Sequence, residues 1–188
     1  NDPGAVAAAA AARHRPESLL GPTGRLMMVA ADHGARGVLG AGKNPMAMAD
    51  RADLLERLLV ALARPEVNGF LGTADVLEDL LLLGALEGKV VVGSMNRGGL
   101  AGTTFEIDDR FTGYTAASIE DASYEGGKML LRIDPDDPST ARTLEACAHA
   151  VSDLARRGLM AMVEPFISHR VDGRVRNDLS TEAVVRSV

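Results

Sequence analysis

Three short segments place a charged side chain within or directly after an apolar run: VAADHG at 29–34, GKMLLRID at 127–134 and AMVEPF at 161–166. Their most informative charged residues are Asp32, Lys128 and Glu164. Burial of an ionised side chain costs free energy unless the charge has a partner, so such a residue in an apolar run indicates an ion pair or a functional role. Two carboxyl groups and a lysine amine together predict a site for acid–base chemistry or for covalent chemistry at an amine.

Lysine is scarce in this chain, which makes Lys128 conspicuous. Only three of the 20 basic residues are lysines, so arginine is the usual cation here. A lysine inside an apolar strand suggests a task that arginine cannot fill, such as that of a point-charge donor or an amine. Because side chains alternate along a strand, Lys128 and Arg132 are expected on one face, with Arg132 as a substrate-binding residue. The alternative is that Lys128 begins its strand and extends into solvent.

Glu164 and Asp32 each follow an apolar run that is predicted to be a strand. Pro165 comes directly after Glu164, which predicts that the strand ends there in an extended conformation. A carboxylate at the end of such a strand suits general acid–base catalysis, and a structural ion pair with an arginine is the alternative. Asp32 has a second interpretation as a residue that caps a loop. His33 beside it is either a proton shuttle that also binds substrate or an exposed side chain.

Two polar loops complete the candidate site. The segment SMNRGG at 94–99 contains Asn96 and Arg97, and a longer polar loop is predicted at 168–178. Arginines beside flexible glycines can surround a phosphate or a carboxylate, so Asn96 and Arg97 are predicted to bind substrate. Solvated loop charge is the alternative, and it is favoured for Arg174 and Arg176 of the longer loop.

These side chains need a sheet to position them. Five short apolar runs alternate with helical segments and are predicted to be parallel strands, at 26–31, 67–71, 89–92, 128–133 and 159–163. Long amphipathic helices are predicted at 46–63 and 139–157, because an Asn-Pro or Asp-Pro pair precedes each. An alanine-rich surface helix is predicted at 5–12.

A closed (β/α)₈ TIM barrel and an open doubly wound sheet compete as α/β architectures. The open sheet requires a glycine-rich phosphate turn after its first strand, and DHGARG at 32–37 lacks that glycine spacing. Candidate residues at several strand ends favour the barrel. A full barrel needs about 250 residues. We therefore expect 1–188 to be a single barrel domain with roughly the first five βα units, truncated before strands six to eight.

The composition argues against several classes of function. A net charge of −6 and a pI near 5.2 leave no basic surface for nucleic acid or an anionic membrane. The single cysteine, Cys147, cannot form an internal disulfide and fits a cytoplasmic protein. No apolar stretch has the length of a membrane span. The four histidines show no metal-ligand spacing, so neither a metal nor another cofactor is predicted.

Three short matches resemble a known family: Ala31-Asp32, Gly127-Lys128 with Arg132, and Val163-Glu164-Pro165. In this order they resemble the strand-end residues of class I, Schiff-base aldolases with a (β/α)₈ barrel. The resemblance is closest to the tagatose-bisphosphate, sulfosugar-phosphate and DhnA-like group. The wider stretches 27–37 and 93–99 resemble an actinobacterial branch often labelled deoxyribose-phosphate or inositol-pathway aldolase.

The resemblance implies a role for each matched residue. Asp32 would orient substrate hydroxyls, Glu164 would shuttle protons, and Lys128 would hold a substrate oxygen while keeping the pKa of the amine nucleophile low. In that family the Schiff-base lysine lies on strand six and the phosphate site on strands seven and eight, which would be C-terminal to Val188. Lys128 as the nucleophile is the alternative. His33 departs from the residues usual in the sugar-phosphate members.

The predicted function is that of a cytoplasmic class I aldolase, which cleaves a phosphorylated ketose or deoxysugar acid reversibly through a lysine Schiff base. A small sugar phosphate is the expected partner, and a homo-oligomer is expected because barrels of this kind usually associate. Two alternatives stay open. One is a metal-dependent barrel lyase or isomerase that uses Asp32, His33 and Glu164, and the other is a non-catalytic barrel that binds a sugar phosphate.

Overall fold

The computed structural model describes residues 2–21, 23–96, 107 and 109–187. The strands are β1 (Met28–Ala31), β2 (Gly69–Gly72), β3 (Val90–Ser94), β4 (Gly126–Ile133), β5 (Met160–Val171) and β6 (Arg174–Asn177). The helices are α1 (Ala5–Ala12), α2 (Arg51–Leu62), α3 (Ala74–Leu82), α4 (Ala116–Asp121), α5 (Ser139–Arg156) and α6 (Thr181–Ser187). The predicted alternation of strands and helices is therefore present, and the βα units number about five.

The sheet is open, so the predicted (β/α)₈ barrel is wrong. Its six strands lie in sequence order, β1 to β5 are parallel, and β6 runs antiparallel to β5. The reversal occurs at Asp172 and Gly173, whose φ values of 50° and 74° suit a two-residue hairpin turn. A further parallel strand would have required a crossover connection, usually a helix. The architecture in the described residues is a curved, mixed α/β sheet.

Strand β5 continues through Pro165, although the sequence predicts that it ends there. It stays paired with β4 as far as Ile167, which lies opposite Ile133. Proline has no N–H to donate, but among the described residues β5 pairs along this stretch with β4 alone. The Met160 N–H bonds toward β4, to the Glu125 carbonyl oxygen, so the alternation along the strand turns the Pro165 nitrogen away from β4 and no ladder hydrogen bond is lost there. The predicted polar loop at 168–178 is largely the end of β5 and the hairpin strand β6.

The two long helices agree unequally with their predictions. The helix predicted at 139–157 is confirmed as α5, and the Asp137 carboxylate accepts a hydrogen bond from the Ser139 N–H at 2.9 Å. Helix α2 begins five residues later than predicted, because Asp50 caps it by accepting the Asp53 N–H at 3.0 Å. Asn44 instead stabilises a turn. Within the described ranges, no helix combines the length and apolarity that crossing a bilayer requires.

The two faces of the sheet have different surroundings. On the helix face, Phe70, Val91 and Met129 pack in a continuous apolar core with the helices. On the inner face, Leu71, Val90 and Val92 form a smaller cluster, flanked by partly buried methionines. The inner face also carries Lys128, which the strand register places between Ser94 of β3 and Met162 of β5. The fold thus places Lys128 on the inner face of the sheet, next to this small apolar cluster.

Candidate active site

Asp32 follows β1 directly and is held by the turn that comes after it. Gly34–Arg36 form one turn of 3-10 helix, and Gly37, with a φ of 75°, ends that turn. The turn brings Nη2 of Arg36 to 2.9 Å from Oδ2 of Asp32. Asp32 is only 3% exposed, so its carboxylate depends on protein partners instead of water.

Lys128 is the third residue of β4 and joins two carboxylates from other strands. Its Nζ lies 2.8 Å from Oδ2 of Asp32 and also forms an ion pair with Glu164. The Lys128 side chain is 5% exposed, which contradicts the alternative that it extends into solvent. A buried cation is thereby compensated on two sides, as burial of an ion requires.

Glu164 is the solvent-exposed carboxylate of the site. It lies on β5 opposite Leu130 of β4, on the same face of the sheet as Lys128. Its side chain is 43% exposed, whereas that of Asp32 is 4% exposed. The lysine therefore has one carboxylate partner shielded from water and one in contact with it. Such an asymmetric pair can exchange protons with solvent on one side alone.

The charges around Asp32 keep it ionised. Burial by itself would raise the pKa of Asp32, but the charge and hydrogen bond of Lys128 oppose burial, as do the charges of Arg36 and His33. Together they hold the pKa of Asp32 below its ordinary value. Asp32 is consequently an anion throughout the neutral range and a fixed acceptor for hydrogen bonds.

His33 lies at the exposed edge of the charged cluster, farther from Asp32 than Lys128 and Arg36 are. Its Nδ1 is 3.6 Å from Oδ1 of Asp32, and its side chain is 53% exposed. The residue also lines a cavity of about 270 Å³ on the helix face of the sheet, together with Met48 and Thr73. A role for His33 in proton transfer or substrate binding stays a prediction.

Asn96 holds the backbone of β4. Its amide donates to the Leu130 carbonyl oxygen at 2.6 Å and accepts the Leu130 N–H at 2.9 Å. These bonds extend the ladder between β3 and β4 beyond Ser94, the last residue of β3. Asn96 is 1% exposed, so the structure gives it a positioning task, and the predicted substrate contact stays a prediction.

The two predicted arginines have different outcomes. Arg132 lies on β4 at the alternation from Lys128 that the sequence predicts, and its Nε is 3.3 Å from the side-chain oxygen of Asn177 on β6. Arg97 lies outside the residues that the structure describes.

Arg36 belongs to the site although the sequence alone did not identify it. Its guanidinium reaches the same oxygen of Asp32 as Lys128 does, and its side chain is 9% exposed. A basic residue four positions after a strand-end aspartate is the signal that could have indicated this contact. Seventeen arginines in one chain make that signal weak.

The central position of the cluster is occupied by a cation of the protein itself. The Lys128 ammonium lies between Asp32 and Glu164, where a divalent cation bridging the two carboxylates would have to lie. Among the residues that the structure describes, no group of three or more histidine, cysteine, aspartate or glutamate side chains is placed to hold a metal. The arrangement can donate hydrogen bonds to a substrate oxygen and move protons through Glu164.

The chain is similar to a solved structure over almost its whole length. It superposes on the crystal structure of Cgl0159 from Corynebacterium glutamicum (Brevibacterium flavum), a structural genomics target, with a TM-score of 0.93 and 53% sequence identity. The match covers 99% of this chain and 63% of that relative, so the relative is the longer protein. No curated protein matches the chain.

A family model agrees with this likeness. The model described as Cgl0159-like matches residues 24–188, which include β1 and every candidate residue of the site. The chain belongs to the Cgl0159-like family.

Proposed function

We propose that the protein is a class I aldolase that reversibly cleaves a phosphorylated ketose or a deoxysugar acid through a lysine Schiff base. The observation that carries the proposal is the contact of Lys128 with both Asp32 and Glu164. The resemblance to aldolases assigns these same three residues to the reaction. Their convergence from β1, β4 and β5 is the arrangement that the assignment requires.

The reaction needs a proton carrier and an electron sink. A lysine amine attacks the substrate carbonyl, and the carbinolamine loses water to give an iminium ion. Removal of the proton from the hydroxyl on the β-carbon then breaks the carbon–carbon bond, and its electron pair passes into the iminium as an enamine. Glu164, with a half-exposed side chain, suits proton transfer during carbinolamine formation and dehydration.

Asp32 and Lys128 suit substrate orientation. Oδ2 of Asp32 contacts Lys128 and Arg36, whereas Oδ1 lies beyond hydrogen-bonding distance of His33. Oδ1 is therefore the oxygen that we propose accepts a hydrogen bond from a substrate hydroxyl. The Lys128 ammonium is a hydrogen-bond donor for a substrate oxygen. With carboxylates on two sides, Lys128 is arranged as a cation, which favours the supporting role over that of nucleophile.

The proposal extends to the setting of the reaction. The Schiff-base lysine is proposed to lie C-terminal to Val188, a small sugar phosphate is the proposed ligand, and the enzyme is proposed to be a cytoplasmic homo-oligomer. The net charge of −6 argues against an extended basic surface for a polyanion. A local group of cationic side chains can still bind one small phosphate.

Borohydride trapping tests the proposal. The full-length protein is incubated with dihydroxyacetone phosphate and sodium borohydride, and the adduct is located by peptide mass spectrometry. An adduct on a lysine outside this chain, lost in Lys128→Met and kept in Lys43→Met, supports both the reaction and the supporting role of Lys128. Lys43 is exposed, so its variant controls for loss of a lysine.

Other outcomes are equally informative. An adduct on Lys128 itself supports the Schiff-base reaction but replaces its supporting role with that of nucleophile. No adduct with dihydroxyacetone phosphate or a panel of ketose phosphates contradicts the proposal. Turnover that a chelator abolishes and Mg²⁺ or Mn²⁺ restores would instead identify a metal-dependent lyase.

A further inference from the structure

Arg36 is the second cation on a single oxygen of Asp32. Its Nη2 lies 2.9 Å from Oδ2, and Nζ of Lys128 lies 2.8 Å from the same atom. Both side chains are nearly excluded from water, with 9% and 5% exposure. The 3-10 turn Gly34–Arg36 fixes Arg36 to the strand end that carries Asp32.

The two cations differ in what they can do during a reaction. A lysine has a flexible four-carbon side chain, and its ammonium can lose its proton or move onto a substrate oxygen. Arginine stays charged at every pH that a protein tolerates. When Lys128 leaves Asp32, a carboxylate that is 3% exposed would remain without a countercharge if it had no second partner. Such a group takes up a proton or moves, because an unpaired buried charge is costly.

We propose that Arg36 is a positioning residue that keeps Asp32 ionised and in place while Lys128 exchanges its contact with Asp32 for one with substrate. This role rests on the proposed aldolase function, in which both Asp32 and Lys128 act on the substrate. In this proposal Arg36 does not contact the substrate and affects the reaction only through its contact with Asp32. The class of substrate that this role serves is a ketose whose hydroxyl needs a permanently anionic acceptor.

Every charged group that faces Asp32 in the described residues has a defined place. Lys128 comes from β4, Arg36 from the 3-10 turn and His33 from the residue between that turn and Asp32. Glu164 of β5 acts on Asp32 through Lys128. Of the two cations that contact Oδ2 of Asp32, Arg36 is the one that cannot give up its proton to a reaction partner.

Titration of Asp32 in the full-length protein tests the inference without any substrate. The protein is labelled with ¹³C at the aspartate side-chain carboxyl, and Asp32→Asn identifies the Asp32 signal. In Lys128→Met, Arg36 keeps the titration midpoint of Asp32 below the ordinary value of about 3.9. In the double variant with Arg36→Gln as well, the midpoint rises by at least about 1 pH unit. An unchanged midpoint between these two variants overturns the proposal.

Two further variants separate charge from fold. Arg57→Gln removes an exposed arginine that also pairs with an aspartate four residues away, Asp53, and should leave the Asp32 midpoint unchanged. Arg36→Lys keeps the charge and should restore most of the change that Arg36→Gln causes in the midpoint. Equal midpoints in Arg36→Gln and Arg36→Lys would show a structural contact without electrostatic effect and would overturn the proposal.

The rate of Schiff-base trapping with dihydroxyacetone phosphate links Arg36 to the reaction, with sodium cyanoborohydride as the reductant because acid destroys borohydride. The acid limb of its pH profile should move to higher pH in Arg36→Gln, and a rise of about 1 pH unit should make trapping about tenfold slower at a fixed acid pH. If no ketose phosphate forms an adduct in the unaltered protein, the aldolase proposal fails while the NMR titration still reports on Arg36. If an adduct forms and neither the midpoint nor the acid limb moves, the inference about Arg36 fails alone.

Discussion

At the level of single residues, the site combines one shielded and one open carboxylate around Lys128. Asp32 is nearly inaccessible to water, and Glu164 is close to half exposed on the side chain. Their different environments divide their proposed tasks, because a shielded anion is suited to fixed orientation and an exposed one to proton exchange. In the proposed reaction, the effect of moving Lys128 onto substrate therefore depends on whether it breaks its ion pair with Asp32 or its ion pair with Glu164.

The lowered pKa of Asp32 predicts a pH-dependent contribution to stability. Because the folded-state pKa lies below the unfolded value, the stabilisation is complete above about pH 4 and is lost as pH falls through the folded pKa. Asp32→Asn should lower the free energy of unfolding by about 3 kcal/mol at pH 7. Urea unfolding at pH 7 and at pH 3 measures the difference, which should shrink at the lower pH.

The exposed pair of Asp53 and Arg57 provides the control for that experiment. Asp53→Asn should change the free energy of unfolding by less than about 1 kcal/mol, because exposed ion pairs contribute little. A loss in Asp32→Asn that is the same at pH 3 and pH 7 would contradict an ionised, charge-stabilised Asp32.

At the level of elements, side-chain hydrogen bonds hold strands β3 and β4 at both of their ends. The side chain of Asn96 ties β3 to β4 near the site. At the other end of the sheet, the buried guanidinium of Arg13, just after α1, donates to the Lys89 and Ser123 carbonyl oxygens and to Glu125. Glu125 in turn accepts the Val91 N–H at 2.7 Å. Arg13 and Glu125 thereby attach helix α1 to the start of β3 and to the start of β4, the strand that carries Lys128.

Replacing Arg13 should detach α1. Arg13→Leu leaves Glu125 buried with less charge compensation, and the expected loss is about 3 kcal/mol in the free energy of unfolding. Limited proteolysis should then cut near α1 first. Arg15→Leu is the matched control, because Arg15 pairs with the same carboxylate from a side chain that is 54% exposed, and its loss should be below about 1 kcal/mol. Equal losses in both variants would argue against a buried anchor.

Gly126 allows β4 and β5 to approach each other closely. A methyl group on Gly126 would collide with the Met160 carbonyl oxygen and would lie 2.8 Å from the Met160 Cβ. Gly126→Ala should therefore cost about 1–3 kcal/mol, since the strands must shift. Gly34→Ala is the control, because its methyl group would meet only a Leu39 side-chain carbon at 3.8 Å. Thermal unfolding that leaves Gly126→Ala as stable as Gly34→Ala would contradict this close packing.

At the level of the whole molecule, the open sheet presents β1 as an outer strand. In the described part of the chain β1 pairs with β2 alone, and Ala30 on the inner face is exposed. An unpaired edge beside apolar side chains is a template for association with another chain. The 188-residue chain made by itself should consequently associate as its concentration rises.

A lysine on that edge should prevent the association. Ala30→Lys puts a charge on the exposed edge strand, and sedimentation velocity should show a shift toward monomer. Ala52→Lys makes the same change of charge at an exposed position on α2 and should leave association unchanged. Loss of association in both variants would assign the effect to net charge, and persistence in both would place the contact elsewhere.

Local sequence signals correctly predicted much of the secondary structure. The alternation of short apolar runs with helices predicted five parallel strands, and the Asp-Pro start of α5 fixed its first residue. The strand-end position of Asp32 followed from the apolar run before it, and the shared face of Lys128 and Arg132 followed from the alternation of side chains along a strand, whereas the burial of Lys128 was one of two alternatives. These features depend on neighbours along the chain, so the sequence alone determines them.

Only the tertiary structure decided how distant parts meet. The sequence could not show that β5 passes through Pro165, because that depends on which edge of the strand has a partner. It could not show that a hairpin at Asp172 and Gly173 leaves the sheet open. Arg36 is a local exception: it lies only four residues from Asp32, and the geometry of the intervening turn, not its residue type, singles it out among 17 arginines. Long-range charge pairing is a property of the assembled sheet, because each partner's position is set by a different strand.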